Sequence, residues 1–433
     1  MLRWVVLSAL AGCAVARGRQ RAAVVPALLP SVRSLQRLDG ADVDVSAVSV
    51  AAAEGQPAHV ARQADRFSQE LGGHPVEADV LLIELRQEDT LSSVEVGGSA
   101  VARDAHGAIS GAESYELTLT EAGMTIVAAA PAGLFYGTRT ALQLLQKAQD
   151  QRLPPLRILD APVSAYRGIM IDNVRRPHNA TFHMEFIQKL ADHKMNVYQI
   201  HSSDDQGYSM PSKAYPHLPS AKLALTQAEA EALQAKAAEL HVSILAEIDL
   251  PGHSRGLLEA LPQLAAVSSK TGKPCTQINI TSPEVIEILQ TLLGEVMELF
   301  PGPMHHLGAD EVSWSLECNM TKANYHRFIN TMNQFVRSKN RTMIVWEGFD
   351  PAPDDAPPVD KTVVVSPFDS VHLSPWLHRP HHYYDAGFSI INTDWNPLYL
   401  VSGGDPGFAA GVDVLSAWDP TKYGNYPCEC IEC

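Results

Sequence analysis

At 433 residues the chain is too long for one ordinary domain, and a (β/α)8 barrel takes roughly 250, so a barrel plus one smaller domain fits. Apolar residues at 45% and charged ones at 19% exclude wholesale disorder. A net charge of −16, with no Lys/Arg block to neutralise a run of phosphates, excludes nucleic acid as a partner.

The chain opens with the short basic stretch Met1 to Arg3, the apolar run Trp4 to Ala16 and the small-x-small site Ala14-Val15-Ala16. This pattern predicts a secretory signal peptide over 1–16, too short to span a bilayer, and no later segment is apolar for the length of a membrane span. Four Asn-x-Thr sequons, at Asn179, Asn279, Asn319 and Asn340, are expected glycosylation sites and agree with export to the lysosome or the extracellular space. Of six cysteines, Cys275 and Cys318 are candidates for a disulfide, but the pairing does not follow from the spacing. Cys428, Cys430 and Cys433 cannot all pair among themselves, and a zinc site built on them lacks a fourth ligand.

Residues 17–160 read as a small α+β domain. The apolar run Ala78 to Leu85, the alternation over Ser114 to Thr120 and the run Met124 to Ala130 predict strands, and Thr138 to Lys147 has helical spacing. Residues 20–75 are rich in Ala and Val without a clear period and give no assignment.

From about residue 161 the texture changes to short apolar strands between amphipathic stretches. Eight are predicted: Gly168 to Ile171, Asn196 to Ile200, Val242 to Ile248, Met304 to Leu307, Thr342 to Val345, Thr362 to Val365, Phe388 to Ile391 and Val412 to Leu415. Thr226 with Glu229 forms a capping-box pattern, and Ser282-Pro283-Glu284 marks a helix start. The alternation predicts an α/β fold, a (β/α)8 TIM-like barrel over 161–433. The absence of a Gly-rich phosphate loop after the first strand argues against an open doubly wound sheet.

Polar and aromatic residues gather just after these strands: Asp172 to Arg175, His201 to Asp205, Asp249 to His253, Asp310-Glu311, Trp346-Glu347, Trp395 and Trp418. A barrel places its active site at that carboxyl face. Adjacent residues on a regular strand face opposite ways, so Asp310 and Glu311 reach one pocket only if the strand has ended or bulged, as Gly308 suggests. Two close carboxylates cannot both ionise freely, which predicts one raised pKa and makes Glu311 the candidate proton donor. His253, four residues after Asp249, has carboxylate partners for a relay. A metal site from His201, Asp204, Asp249, His253 and Asp310 is an open alternative without a recognised ligand spacing, and no metal or other cofactor is expected. Trp346, Trp395, Trp418 and Tyr399 suit an aromatic wall, and sugar rings pack their C–H faces on such walls.

Four blocks in order resemble glycoside hydrolase family 20, the β-N-acetylhexosaminidases. They are Arg167 to Arg175, Lys194 to Gly207, Glu247-Ile-Asp-Leu-Pro-Gly-His253 and His306-Leu-Gly-Ala-Asp-Glu-Val312. Glu113 to Leu117, Ala132 to Gly137 and Gln143 to Gln146 resemble the family's domain before the barrel.

The resemblance implies that terminal N-acetylhexosamine is removed from glycans, glycoconjugates or chitooligosaccharides, with the substrate's acetamido group as nucleophile. It makes Glu311 the general acid, Asp310 the guide of the acetamido group, and Asp204 with His253 the pair linked to the acid. Arg175 would hold ring hydroxyls, Trp346 and Tyr399 would line the acetamido pocket, Trp395 would stand beside them, and Trp418 would lie beneath the sugar. A homodimer is a further family expectation. Departures begin after residue 362, with Ser366-Pro-Phe368 where many members carry a tryptophan and Val401 in place of an acid. With 15 residues after Trp418, an altered or truncated carboxyl end is expected, and an inactive carbohydrate-binding relative is the alternative reading.

Overall fold

The computed structural model describes residues 23–72, 80–88, 109–368 and 378–399. The signal-like run, the predicted strand at 412–415, Val401, Trp418 and the cysteines at 13, 428, 430 and 433 lie outside them. Two compact units divide at residues 165 and 166.

The first unit contains β1 (Ser34–Arg37), β2 (Val48–Ala52), α1 (Ala58–Glu70), β3 (Leu81–Gln87), β4 (Tyr115–Thr120), β5 (Gly123–Ala128), α2 (Pro131–Gln146) and β6 (Leu156–Asp160). Its sheet has the order β1-β6-β4-β5-β3-β2. Along β4 and β5 every second residue is buried, including Leu117, Leu119, Met124 and Ile126, as a sheet covered on one face requires. Helix α1 buries Val60, Ala64 and Phe67 against that sheet. These three positions fall at i, i+4 and i+7, so the helix follows a helical period that the assignment of residues 20–75 as a whole passed over. Helix α2 starts at Pro131, seven residues before the predicted Thr138, because proline suits the first helical turn.

In the second unit the strands are β7 (Gly168–Asp172), β8 (Val197–His201), β9 (Ser243–Glu247), β10 (Met304–His306), β11 (Thr342–Trp346), β12 (Val364–Ser366) and β13 (Ser389–Ile390). They pair in parallel and in chain order, a curled sheet of seven strands among the described residues. Helices α3 (Ala180–Asp192), α4 (Gln227–Glu239), α6 (Pro283–Leu299) and α7 (Lys322–Ser338) separate the first five strands, with the short α5 (Arg255–Ala260) between α4 and α6. All five residues of β8 are buried, as expected of a parallel strand covered on both faces. Thr226 and Glu229 form the predicted capping box, and Ser282 caps α6 through the amide of Val285.

Register aligns the chemistry. Asp172 pairs with His201, His201 with Glu247, and Glu247 with His306, so one polar rung crosses the carboxyl ends of four strands. A hairpin of Ala265–Val267 and Pro274–Ile278, which the sequence did not announce, carries Cys275 into a disulfide with Cys318.

Candidate active site

The strand β10 stops at His306, and the chain then takes left-handed backbone at Gly308, Ala309 and Glu311 (φ 74°, 77° and 46°). This break from the pleat lets neighbouring acids serve one site. A side chain on Gly308 would collide with the Asp249 carboxylate, and one on Gly252 would collide with the Asp310 carbonyl, so both turns need glycine. Tyr325 of α7 donates its hydroxyl to the Ala309 carbonyl, and the Ala309 amide donates to Asp249 Oδ1 at 3.0 Å.

Asp310 points inward with 16% of its side chain exposed, whereas Glu311 is 56% exposed. His253, after the cis Leu250–Pro251 bond, donates from Nε2 to Glu311 Oε2 at 3.0 Å and lies 3.9 Å from Asp310 Oδ2. Its Nδ1 faces Asp204 Oδ1 at 3.5 Å. Asp172, at the end of β7, accepts the amides of Val174 and Arg175 at 2.9 Å, a tight turn that aims Arg175 across the site. The Arg175 guanidinium reaches Asp172 Oδ2 at 3.0 Å and Asp204 Oδ2 at 2.5 Å.

These contacts set the protonation states. Bonds to Asp204 and Glu311 raise the His253 imidazole to about 11. The bond from His253 lowers the Glu311 carboxyl below its usual value. Burial raises Asp310, against the pull of the His253 cation. The expectation of a raised Glu311 is therefore corrected: the buried neighbour titrates high, and the exposed one is held ionised by an imidazolium. Burial and the Asp310 charge also push Asp249 well above the carboxylate range. Asp249 Oδ2 and Asp310 Oδ1 are buried without a hydrogen-bond partner among the described residues, which disfavours a charge on both carboxyls at once.

Trp346 is buried and donates its indole N–H to Glu247 Oε1 at 2.7 Å. Phe368 packs edge-on against Trp346 and Trp395, with ring centres 6.0 and 5.2 Å away, and so fills an aromatic position in the departing segment. Tyr399 is 41% exposed. Sequence reasoning passed over Tyr325, whose place beneath the acid pair depends on a helix folding back.

Among the described residues three groups have candidate ligand atoms within 4.8 Å of one another: His201 with Glu247 and Asp249, Asp204 with Asp205 and His253, and Asp249 with His253 and Asp310. The two ring nitrogens of His201 already face carboxylates at 3.0 and 2.9 Å, and those of His253 face Asp204 and Glu311. Among the sequon asparagines, Asn179 caps α3 through the Phe182 amide, and Asn279 accepts from Thr281. Asn179, Asn319 and Asn340 are exposed and Asn279 is half-buried.

The description "Glycosyl hydrolase family 20, catalytic domain" matches residues 165–409, and "Glycosyl hydrolase family 20, domain 2" matches residues 25–161. A beta-hexosaminidase of Vibrio furnissii is 31% identical over 238 residues, 48% of this chain and 39% of that protein. A beta-N-acetylhexosaminidase of Cellulomonas fimi is 26% identical over 364 residues, 72% of this chain and 70% of its own length. The chain thus spans about two fifths of the Vibrio relative. The crystal structure of beta-N-acetylhexosaminidase from Bacteroides fragilis superposes with a TM-score of 0.73 at 20% identity, covering 91% of this chain and 82% of that one. At this identity the likeness speaks for the fold, a TIM-like barrel preceded by a smaller domain. The catalytic-domain match takes in every strand of the parallel sheet and more than half of the sequence, and on that ground the chain belongs to glycosyl hydrolase family 20.

Proposed function

We propose that this chain is an exo-acting β-N-acetylhexosaminidase that cleaves terminal N-acetylglucosamine or N-acetylgalactosamine from glycans by substrate-assisted, retaining catalysis. The observation that carries the reading is the 3.0 Å bond between His253 and Glu311, with the buried Asp310 alongside. In the free protein the reactive proton rests on His253 and Glu311 is the carboxylate. A sugar that covers Glu311 strips it of water and raises its pKa, so the proton passes across the bond to Glu311.

Glu311 then gives that proton to the glycosidic oxygen as the bond from C1 breaks and the leaving alcohol departs. The acetamido carbonyl oxygen attacks C1 and forms an oxazolinium ion, whose N–H is held by Asp310 and whose charge faces that carboxylate. Water, deprotonated by Glu311, adds to C1 and returns the N-acetylhexosamine with its configuration retained. This route needs no second carboxylate facing the acid across the sugar, which suits two acids that are adjacent in the chain.

Arg175 is assigned to the ring hydroxyls, Trp346, Trp395 and Tyr399 to the acetamido wall, and Trp418 to the floor. The disulfide and the accessible sequons support routing through the secretory pathway, to the lysosome or outside the cell.

Turnover of a 4-nitrophenyl N-acetyl-β-glucosaminide tests the reading. The expected result is hydrolysis by the parent and a loss of about a hundredfold or more in Glu311→Gln, the usual scale of acid catalysis. A parent that binds N-acetylglucosamine without hydrolysing it, or a Glu311→Gln protein of parental activity, overturns it.

A further inference from the structure

Beneath the acid pair a second histidine is held between two carboxylates. His201 ends β8, with Nδ1 3.0 Å from Glu247 Oε1 and Nε2 2.9 Å from Asp204 Oδ2. Glu247 is fully buried and also receives Trp346 Nε1 at 2.7 Å and Gln199 Nε2 at 2.6 Å. Asp204, 1% exposed, is the same carboxylate that meets His253 and Arg175.

We propose that His201 and Glu247 are positioning residues for the general acid, extending the line Asp204–His253–Glu311 inward to Glu247–His201–Asp204–His253–Glu311. This inference rests on the activity proposed above. His201 engages a carboxylate with each ring nitrogen, and Asp204 turns Oδ2 to His201 and Oδ1 to His253, so each side chain bears on the next. The polar rung of β7 to β10 supplies the reason: His201 and Glu247 are register partners on adjacent strands, so the pair is built into the sheet itself.

The charges agree with the geometry. Burial opposes a charge on His201, but Glu247 and Asp204 hold its pKa well above the usual imidazole value. Burial likewise opposes ionisation of Asp204, yet the bonds from His201 and His253 and the Arg175 charge hold it far below the carboxylate range. Other groups facing this pair include Asp249, Asp310, Tyr166, His305 and His306, and burial lowers His306 to about 4. An ionised Asp204, fixed from within, keeps the His253 ring oriented and protonated so that Nε2 presents its proton to Glu311.

The test separates proton donation from folding and from sugar binding. His201→Gln can bond one of the two carboxylates but not both, and Glu247→Gln keeps its shape without its charge. Each is assayed, with the double variant, on two N-acetyl-β-glucosaminides: one with a sugar leaving group that must be protonated, and one with a 2,4-dinitrophenolate that leaves unaided. The expected result is a loss of about tenfold or more in kcat on the sugar substrate, less than about threefold on the dinitrophenyl substrate, and a double variant no worse than the poorer single. Equal losses on both substrates, or additive losses, overturn the proposal. If His201→Gln does not fold, Gln199→Leu, which touches Glu247 from its other oxygen, is expected to shift the same ratio in the same direction; an unchanged ratio in a folded protein overturns the proposal. A parent inactive on both substrates refutes the activity itself, whereas an active parent with unselective variants refutes only this extension.

Discussion

Asp249 and Asp310 both titrate above the usual carboxylate value, and their environments decide by how much. Asp249 is fully enclosed, and burial with the nearby Asp310 and Glu247 charges raises it the more strongly of the two, against the Ala309 amide that donates to its Oδ1. Held as an acid, it sets no second charge against Asp310, the carboxylate that the proposed mechanism places beside the oxazolinium ion. Asp249→Asn keeps a donor at the same place, and its kcat/KM is expected within about threefold of the parent, while Asp249→Leu, which leaves Asp310 buried and unpaired, should lose over tenfold and some stability. A fully inactive Asp249→Asn would show that Asp249 acts as a carboxylate. The candidate acids and their histidine were legible as residue types at strand ends. The direction of each shift was not, because adjacency in the chain does not tell which of two acids is buried.

The segment from Gly308 to Glu311 gathers the consequences at the level of elements. Gly308 takes a left-handed conformation with the Asp249 carboxylate against its α-carbon, so Gly308→Ala meets both backbone strain and a collision. The expected outcome is a loss of at least about 2 kcal/mol in unfolding free energy and about a hundredfold or more in kcat/KM, since a displacement of about 1 Å at the acid costs on that scale. Chemical denaturation and kinetics on the same protein check it, and a variant with parental values for both would mean that the turn can relax. Helix starts at Thr226 and Ser282 were readable because caps are local chemistry. Helix α1 carries no cap of that kind, its N-cap being Pro57 without a side-chain bond, and its Val60, Ala64 and Phe67 spacing was masked by the Ala- and Val-rich run before it.

On the scale of the whole molecule, the Cys275–Cys318 bond ties the hairpin after α5 to the segment that follows Glu311, closing a separation of 43 residues. Loop-closure entropy for such a separation gives roughly 4 kcal/mol, and measured effects are typically about 2–4. The paired Cys275→Ser and Cys318→Ser variant is therefore expected to unfold at lower denaturant, a change read by tryptophan fluorescence, and an unchanged midpoint would show that the hairpin and segment are held by their other contacts alone. By itself the sequence determined a two-part chain, the alternation of strands and helices, and the acids, histidine and aromatics at strand ends, because composition, period and capping are properties of neighbouring residues. Only the tertiary structure decided that Cys275 pairs with Cys318, that His201 and Glu247 meet on one rung, and that the pKa of Glu311 is lowered while that of Asp310 is raised. Those outcomes depend on register and burial, which arise when segments far apart in the chain are brought together.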